Sequence, residues 1–434
     1  MTPTEALILS YNEKIEFFKL KIQKEKSKVN TIFYSRLIAF ILGFVLFFLF
    51  IQSNRAIAFI LVPAIIAVFL ILLKLELKAQ RKIDYFKNGT RLNENEIAAL
   101  NANFDQFDPG KEFINKEHFF IADLDIFGNR SVFQLLNRTS TYTGRIKLAE
   151  WLTKPFLNKE EILERQQAVK CLSTKLEWSQ QFIATGISDK ETELDRDIIH
   201  QWLQEEISFS SLFLKFAAIA LPAMTILALT LQLFHLIGSE LFTVLFFLQL
   251  IIVGSQLKKI NRVHNQLSRK LNTVEKYASL IQLIENEKLD AEKLNQLKQK
   301  LTGSELGASL AIKRLKKLVD TLDARLNLIV AVVLNGTLLF DINVMQRIEK
   351  WKTRHKNDFF SWIDVIGEFD AFISLGIAAH NNPDYTYPEV ETQGFMIQAQ
   401  HTGHPLINKS KLVKNNYELT GLSKIDLLTG ANMA

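Results

Sequence analysis

Cysteine is almost absent from this 434-residue chain, which contains only Cys171. An internal disulfide is therefore impossible, and this agrees with a reducing compartment. The sequence shows no spaced set of metal ligands and no catalytic triad. A cleavable signal is not evident either, because the first apolar run follows a long charged helix and lacks a small-residue cleavage site. Nothing here supports a metalloenzyme or a triad hydrolase.

Charge is missing from four apolar stretches, although charged residues make up 23% of the chain. The stretches form two pairs, 37–54 with 56–73 and 216–237 with 241–257, each pair joined by a short polar turn. Runs of about 18 apolar residues match the hydrocarbon thickness of a bilayer. The sequence therefore predicts four spans in two transmembrane hairpins; the alternative is a set of buried helices in a soluble core.

Lysines and arginines flank both pairs on the same side. They precede and follow each pair, whereas the intervening turns hold only Arg55 and Glu240, respectively. The flanking basic residues are Lys14, Lys19, Lys21, Lys24, Lys26, Lys28, Arg36, Lys74, Lys78, Arg81, Lys82, Lys215, Lys258, Lys259 and Arg262. Because positive charge stays inside, we predict a multi-pass protein of the cell (inner) membrane with its soluble parts and both termini cytoplasmic. The net charge of +6 mostly reflects these positions and is weak evidence for nucleic acid.

A fifth apolar run, 326–340, is shorter and is interrupted by Asn327, Asn335 and Gly336. An odd number of spans would place the C-terminal segment outside the cell. We therefore predict a core helix there rather than a span.

The remaining patterns define four regions. Residues 1–83 are predicted to form an N-terminal helix and the first hairpin, and the polar segment 84–117, with Asn88-Gly89 and Pro109-Gly110, a linker. Residues 118–384 show helical spacing and carry the second hairpin as an insertion. One apolar stripe from Ile260 to Ile284 predicts a long helix that begins inside the last span, and a second long helical region covers 342–379. From Tyr385 to residue 434 short strand-like pieces predict a sheet-containing domain.

The block around residues 123–172 resembles the start of the core domain of the MutS family of mismatch-repair ATPases. That family has a Thr-x-Thr-x-x-Gly turn, a Trp, a Pro and then Arg and Val on the next helix. The matching residues are Thr139, Thr141, Gly144, Trp151, Pro155, Arg165 and Val169. One departure is that the family's Arg two residues after the Gly is Ile146 here. Read physically, Gly144 permits a tight turn, Trp151 is an apolar anchor and Pro155 stops a helix, which are scaffold roles.

The C-terminal segment resembles the entrance to the MutS ATPase domain. Gly403, His404 and Pro405 match its Gly-Arg-His-Pro element, and Leu412 and Val413 fall where the family approaches the nucleotide base, with Leu412 replacing an aromatic residue. The ending matches the beginning of the family's phosphate loop, G-x-x-x-x-G-K-[ST]. The resemblance implies partial phosphate-loop roles for Thr429, Gly430, Ala431, Asn432, Met433 and Ala434.

The resemblance implies a mainly α protein. It would have a MutS-like helical core/lever domain with two transmembrane helical hairpins, followed by the β-containing start of a P-loop (ABC-type) ATPase domain. A full-length protein would bind ATP and Mg²⁺, form a homodimer and clamp double-stranded DNA, as in DNA mismatch repair. This chain, with half a phosphate loop, is expected to be inactive as an ATPase.

Two alternatives stay open on function. The family's mismatch reader with its Phe-x-Glu wedge has no counterpart, which favours a membrane scaffold or remodelling ATPase that no longer binds DNA. A shortened natural product acting as an inactive partner is a third hypothesis. The basic cluster Lys313, Arg314, Lys316 and Lys317 is the one candidate DNA contact, although a solvated helix face opposite apolar residues is the favoured explanation.

Overall fold

The computed structural model describes residues 2–53, 55–187, 192–205, 209–268, 270–303, 307–392, 394–421 and 425–427. Side chains of 51–62, 193–196 and 271 also lie outside the described set. The described residues are mainly α-helical, as predicted, with fifteen α-helices and two strands. These elements are α1 Pro3–Ser53, α2 Arg55–Leu100, α3 Val132–Leu136, α4 Tyr142–Thr153, α5 Lys159–Ser173, α6 Leu176–Gly186, α7 Glu193–Gln204, α8 Leu212–Leu233, α9 Glu240–Ser268, α10 Leu271–Asn286, α11 Glu292–Thr302, α12 Ala308–Leu322, α13 Leu328–Leu338, α14 Phe340–His355, α15 Asp358–Asn381, β1 Met396–Thr402 and β2 Asn415–Thr420.

The chain divides into two units by its internal contacts. The first comprises Met1–Ser140, Leu148–Ser188 and Ala371–Ala434, and the second comprises Thr141–Lys147 and Asp189–Asp370. Each unit therefore gathers segments that are distant in sequence. This division cuts across the regional boundaries predicted along the sequence.

In the first unit α1 and α2 form a long antiparallel pair. Gly43 lets the helices approach closely, since a Cβ there would lie 2.8 Å from Cδ1 of Ile65. Farther from the turn between the helices, Arg36 donates to Glu76 across a distance of 2.6 Å. The predicted first hairpin is thus a helical pair, and its insertion into lipid stays a prediction.

The predicted linker over 84–117 is wrong in its first half, because α2 continues through Asn88-Gly89 to Leu100. Gly89 serves helix packing here rather than a turn: a Cβ would meet the Phe18 ring at 2.8 Å. Asn93 and Glu96 are buried one and two turns later. The segment is polar because it forms buried hydrogen bonds, and not because it is a solvated connection.

The core of the first unit forms where the segment after α2 folds onto α4 and the end of α15. Its buried members are Ile121, Ile126, Phe127, Phe133, Leu148, Ala149 and Ala371. Ser131 starts α3 by accepting a hydrogen bond from the Gln134 N–H.

In the second unit α8 and α9 form the predicted second hairpin. A hydrogen bond of 2.6 Å from the Gln249 amide to the Thr225 hydroxyl joins them, and both side chains are buried within the uncharged stretches of the two helices. Helix α9 continues out of the predicted span to Ser268, where the stripe residues Ile260, Val263 and Leu267 are buried.

Both predicted long helices are interrupted. The Ile260–Ile284 stripe is divided between α9 and α10, because the backbone at Lys270 leaves the helical region (φ −114°, ψ 8°). The 342–379 region is divided between α14 and α15, and it ends at Asn381, as expected from the following Asn-Pro. Apolar periodicity persisted across both breaks, so it could not reveal them.

The strands β1 and β2 pair antiparallel, with Met396 opposite Thr420 and Ala399 opposite Tyr417. They confirm the predicted change to strand structure after Tyr385. In the structure the strand-like pieces predicted after Tyr385 do not include Ile425 and Leu427, because these residues are about nine-tenths and eight-tenths exposed and lie outside any strand. Neither described strand pairs with this segment, and an unpaired strand has nothing to bury its side chains.

Among the described residues, three helices are long and apolar enough to cross a membrane: α1, α8 and α9. A fourth candidate is α13 with α14, a pair bent by 79°. The prediction of a core helix over 326–340 is wrong: Leu328 and Ile329 are more than three-quarters exposed, and Asn335 and Gly336 are the buried residues of α13. The apolar sequence was interpreted as core, but its side chains project away from the protein.

Candidate functional site

The Thr-x-Thr-x-x-Gly motif forms a clamp on Asp370 in the second unit. The backbone N–H and the hydroxyl of Thr141 both donate to Asp370 Oδ2, at 2.8 and 2.7 Å. The Gly144 N–H donates to the Thr141 hydroxyl at 3.0 Å, which satisfies one of the free N–H groups in the first turn of α4. Thr141 and Asp370 are both buried, so the clamp holds the start of α4 on α15 without water.

The reason for glycine at position 144 differs from the predicted one. Gly144 lies inside α4, where any residue can adopt the backbone conformation, and not in a tight turn. A Cβ on it would lie 2.4 Å from Asp370 Oδ2, which is impossible without displacement. Gly367 on α15 is similar, because its Cβ would lie 2.6 Å from Cγ2 of Thr143. The motif therefore selects small residues for close helix approach.

The other residues of the first resemblance block meet in the first unit. The Trp151 ring lies 4.6 Å from the Phe372 ring, and the Arg165 guanidinium lies over Trp151 at 4.1 Å and over Phe156 at 3.9 Å. Pro155 follows the end of α4 by two residues, as predicted for a helix stop. These contacts agree with the predicted scaffold roles.

A buried polar network, absent from the sequence interpretation, lies in the first unit. Arg138 forms a bidentate ion pair with Glu96, in which Nε donates to Oε1 at 2.5 Å and Nη2 donates to Oε2 at 3.3 Å. Asn381 donates to Glu96 Oε2 at 2.8 Å, and the Tyr11 hydroxyl donates to Asn381 Oδ1 at 2.6 Å. The Arg138 guanidinium also stacks on Phe107, 3.5 Å from the ring centroid.

Both charged side chains of this network are buried. The side chains of Arg138 and Glu96 are 5% and 4% exposed, so each charge depends on the other for compensation. Burial, together with the negative charge of Glu96, raises the pKa of Tyr11 far above its usual range, so its hydroxyl stays a donor. A polar residue in a helical pattern was the available signal in the sequence, but residues 11, 96, 138 and 381 are too far apart to be associated without a structure.

The predicted phosphate-loop residues Thr429, Gly430, Ala431, Asn432, Met433 and Ala434 lie outside the described residues. Upstream, Leu412 packs on Gly403, where a Cβ would lie 2.5 Å from its Cδ2, and this brings two resemblance elements together. Val413 is more than three-quarters exposed. His404 accepts a hydrogen bond from the Leu406 N–H at 3.3 Å, a local structural role.

The basic cluster lies on the outer face of α12, opposite the buried Ile312 and Leu315. Lys316 pairs with Asp320 at 2.7 Å and with Glu275 at 3.8 Å. Lys313 donates to the Gln282 side chain at 2.6 Å. Arg314 and Lys317 are exposed. No group of three or more potential metal ligands occurs among the residues that the structure describes.

Comparison with known proteins connects this architecture to one family. Residues 121–376 match the family described as MutS domain III. A region of 96 residues is 35% identical to the DNA mismatch repair protein MSH3 of Vanderwaltozyma polyspora, covering 20% of this chain and 9% of that protein. The matched region thus spans less than a tenth of that relative. No solved structure matches the chain.

The family match starts in the core of the first unit, at Ile121, and ends on α15 at Gly376. It includes both clamped helices, the Trp151–Arg165 cluster and the α8–α9 hairpin. Because it covers more than half of the residues, the chain belongs to the MutS family.

Proposed function

We propose that this chain is a membrane-anchored MutS-type protein whose function is related to DNA mismatch repair, acting as a clamp on double-stranded DNA. Membership of the family and the similarity to a mismatch repair protein support the DNA part. The apolar hairpins support the membrane part. The observation that carries the proposal is that each hairpin is packed and hydrogen-bonded into its own unit.

The surfaces of the hairpins suit lipid rather than water. Over the apolar windows, 6% of α1, 28% of α8 and 17% of α9 is buried within the protein. Soluble proteins rarely leave an apolar patch of this extent uncovered. The uncharged stretches are also bounded by lysines and arginines on one side, as expected for cytoplasmic ends.

Each hairpin is built into a MutS unit. In the first unit the network joins Tyr11 on α1 and Glu96 on α2 to Arg138, inside the family match, and to Asn381, five residues after it. In the second unit α9 leaves the hairpin and buries its stripe beneath the neighbouring helices. The hairpins are therefore integral parts of both units and not flexible tethers.

The ATP-dependent part of the proposal depends on the resemblance. ATP and Mg²⁺ would bind at the phosphate-loop motif that starts at Thr429 and Gly430, and a homodimer would couple that site to the helices. The loop would supply backbone N–H groups to the phosphates. We place the protein in the inner membrane with its MutS units on the cytoplasmic side.

A second candidate is a membrane scaffold or remodelling protein that has lost DNA binding. One observation favours it: two of the four basic cluster residues, Lys313 and Lys316, already have partners within the protein. A cation held by a carboxylate is less available to a phosphate group.

Salt-dependent DNA binding separates the two candidates. The chain would be reconstituted in lipid nanodiscs and titrated with fluorescent duplexes, with and without a mismatch, at several salt concentrations. A DNA clamp predicts binding above that of empty nanodiscs and a steep loss with salt, because bound cations replace counterions. Lys317→Ala should lower the salt slope by about one, whereas Lys300→Ala, an exposed lysine on α11, should not change it.

The possible outcomes point to different conclusions. No binding above empty nanodiscs would eliminate the clamp and leave the scaffold. Binding that is unaffected by Lys317→Ala would keep the DNA function and exclude the outer face of α12 as the contact surface.

A further inference from the structure

Helix α13 is the most apolar surface element in the second unit without an assigned role. It lies in the stretch 326–340, which contains no charged residue, and it packs against both α8 and α9. Its outward residues Leu328, Ile329 and Val333 are at least half exposed, as are Ile219 and Ile251 on the surface of the hairpin. The apolar surface of the hairpin therefore continues onto α13.

The chain enters and leaves α13 at the same end of the α8–α9 hairpin. Before α13, Asp323 Oδ1 lies 2.8 Å from His264 Nε2, near the C-terminal end of α9. After α13, Glu349 accepts hydrogen bonds from the Phe209 N–H at 2.8 Å and from the Ser210 hydroxyl at 3.1 Å, just before α8 begins. The end of α9 and the start of α8 lie on the same side of an antiparallel hairpin, so α13 does not cross to the other side.

Between these two anchors α13 reaches deep along the hairpin. Gly336 lies against Phe246, where a Cβ would be 2.3 Å from the ring. Phe246 precedes His264 by 18 residues of one helix, which is about 27 Å. The chain then turns at Leu339, whose φ is 46°, and α14 departs at 79° to α13. With 11 residues, α13 is about 16 Å long, half the thickness of a bilayer core.

At this turn, one side chain donates hydrogen bonds to backbone carbonyls, including one that has no helical donor, as an environment without water requires. Pro222 in α8 has no N–H, so the Ala218 carbonyl loses its helical donor. The side-chain amide of Asn343 donates to that carbonyl at 3.2 Å, and also to the carbonyls of Leu338 and Leu339 at 2.9 and 3.3 Å. One amide thus serves the proline break and the end of α13 together. In hydrocarbon no water is present to hydrogen-bond such carbonyls, so a side-chain donor has to do so.

We propose that α13 is a re-entrant half-helix whose exposed face contacts the hydrocarbon of the bilayer beside the α8–α9 hairpin. This inference rests on the proposed membrane anchoring and extends it to a third apolar element. The occupant of the face is lipid rather than a soluble partner, because the face is uncharged and continuous with the hairpin surface. It also explains why an odd number of apolar runs is compatible with cytoplasmic ends.

Fluorescent labelling tests the depth of α13. In a Cys171→Ser background, the single-cysteine variants Ile329→Cys and Val333→Cys carry an environment-sensitive label and are reconstituted into vesicles whose acyl chains are brominated. Ile219→Cys on α8 is the control for the hairpin, and Lys317→Cys on α12 is the aqueous control. We expect the bromolipid to quench the labels at 219, 329 and 333, and iodide in the buffer to quench the label at 317.

Quenching by bromolipid at 219 but not at 329 or 333 would overturn the re-entrant helix and leave the membrane anchoring intact. If label 219 is also unquenched, the anchoring itself is wrong. Labels at 329 and 333 that are shielded from both quenchers would show that protein covers the face, such as a second copy of the chain, and would also overturn the inference.

A separate experiment in sealed vesicles tests whether the segments before and after α13 lie on the same side of the membrane. Lys317→Cys precedes α13 and Asn357→Cys follows it, and both are exposed. A membrane-impermeant maleimide should label both to the same extent from one side. Labelling of one from outside and the other only after lysis would show that the segment spans the membrane, which contradicts re-entry.

Discussion

Removing Glu96 is the sharpest test of how the first hairpin is held on its unit. The Glu96→Ala substitution leaves the Arg138 guanidinium, 5% exposed, without its carboxylate, and deprives Asn381 of an acceptor. Breaking a buried ion pair on one side costs about 3–5 kcal/mol. For a unit of this size each kcal/mol shifts the unfolding midpoint by about 2–4 °C, so we expect a fall of roughly 6–20 °C.

The tryptophans allow the two units to be followed separately. Trp151 and Trp178 belong to the first unit, and the other three belong to the second. The Glu96→Ala protein would be labelled with 5-fluorotryptophan and unfolded by heat in detergent micelles while fluorine NMR is recorded. The folded-state signals of Trp151 and Trp178 should disappear at a lower temperature than those of the other three tryptophans.

Glu94→Ala is the matched control, because Glu94 lies on the same helix, two residues away, and is exposed. It should change the midpoint little. The double substitution Glu96→Met with Arg138→Met should restore most of the stability, since an apolar pair of similar volume often replaces a buried ion pair without loss. Equal midpoints for Glu96→Ala and Glu94→Ala would refute the account of the network.

Three further predictions address other contacts. Gly144→Ala should destabilise the second unit by about 1–3 kcal/mol in urea denaturation, because its Cβ would collide with Asp370. A stability equal to wild type would contradict the close contact between α4 and Asp370. The pKa of Tyr11 is raised in the folded state by burial, so its stabilisation is complete below about pH 10 and is lost as pH rises further. The free energy of unfolding would be measured between pH 9 and 11 in steps of about one pH unit. Its decline with rising pH should be less steep in Tyr11→Phe than in the wild type, and an equal slope against pH would refute this assignment. Gly336→Ala should lower thermal stability in micelles, whereas Gly254→Ala, with nothing within 4 Å of its Cβ position, should not; equal effects would argue against the close contact of α13.

The sequence predicted what depends on local pattern. The helical hairpins, the stop of α4 before Pro155 and the strands after Tyr385 all follow from periodicity and turn residues, and the structure has them. The apolar stripe from Ile260 was predicted to lie on a helix, and its described members lie on α9 and α10 and are buried. The break near Lys270 leaves that stripe intact on both sides, so it was not predictable.

Features that depend on contacts between distant residues were missed. Asp370 was not among the predicted site residues, and its partner Thr141 lies 229 positions away. Polarity around Asn93 and Glu96 was interpreted as a linker, because buried and solvated polar residues look alike in sequence. Apolar residues of α13 were interpreted as core for the converse reason: sequence alone does not distinguish an apolar side chain that is buried in the protein from one that is exposed on its surface.

The central claim, a MutS-type protein integrated into a bilayer, is tested most directly by flotation. The chain would be reconstituted with vesicles, washed with alkaline carbonate to remove peripheral proteins and centrifuged through a density gradient. Our account predicts that the protein floats with the lipid after the wash. Recovery of a monodisperse, folded protein in the lipid-free fraction without detergent would contradict it.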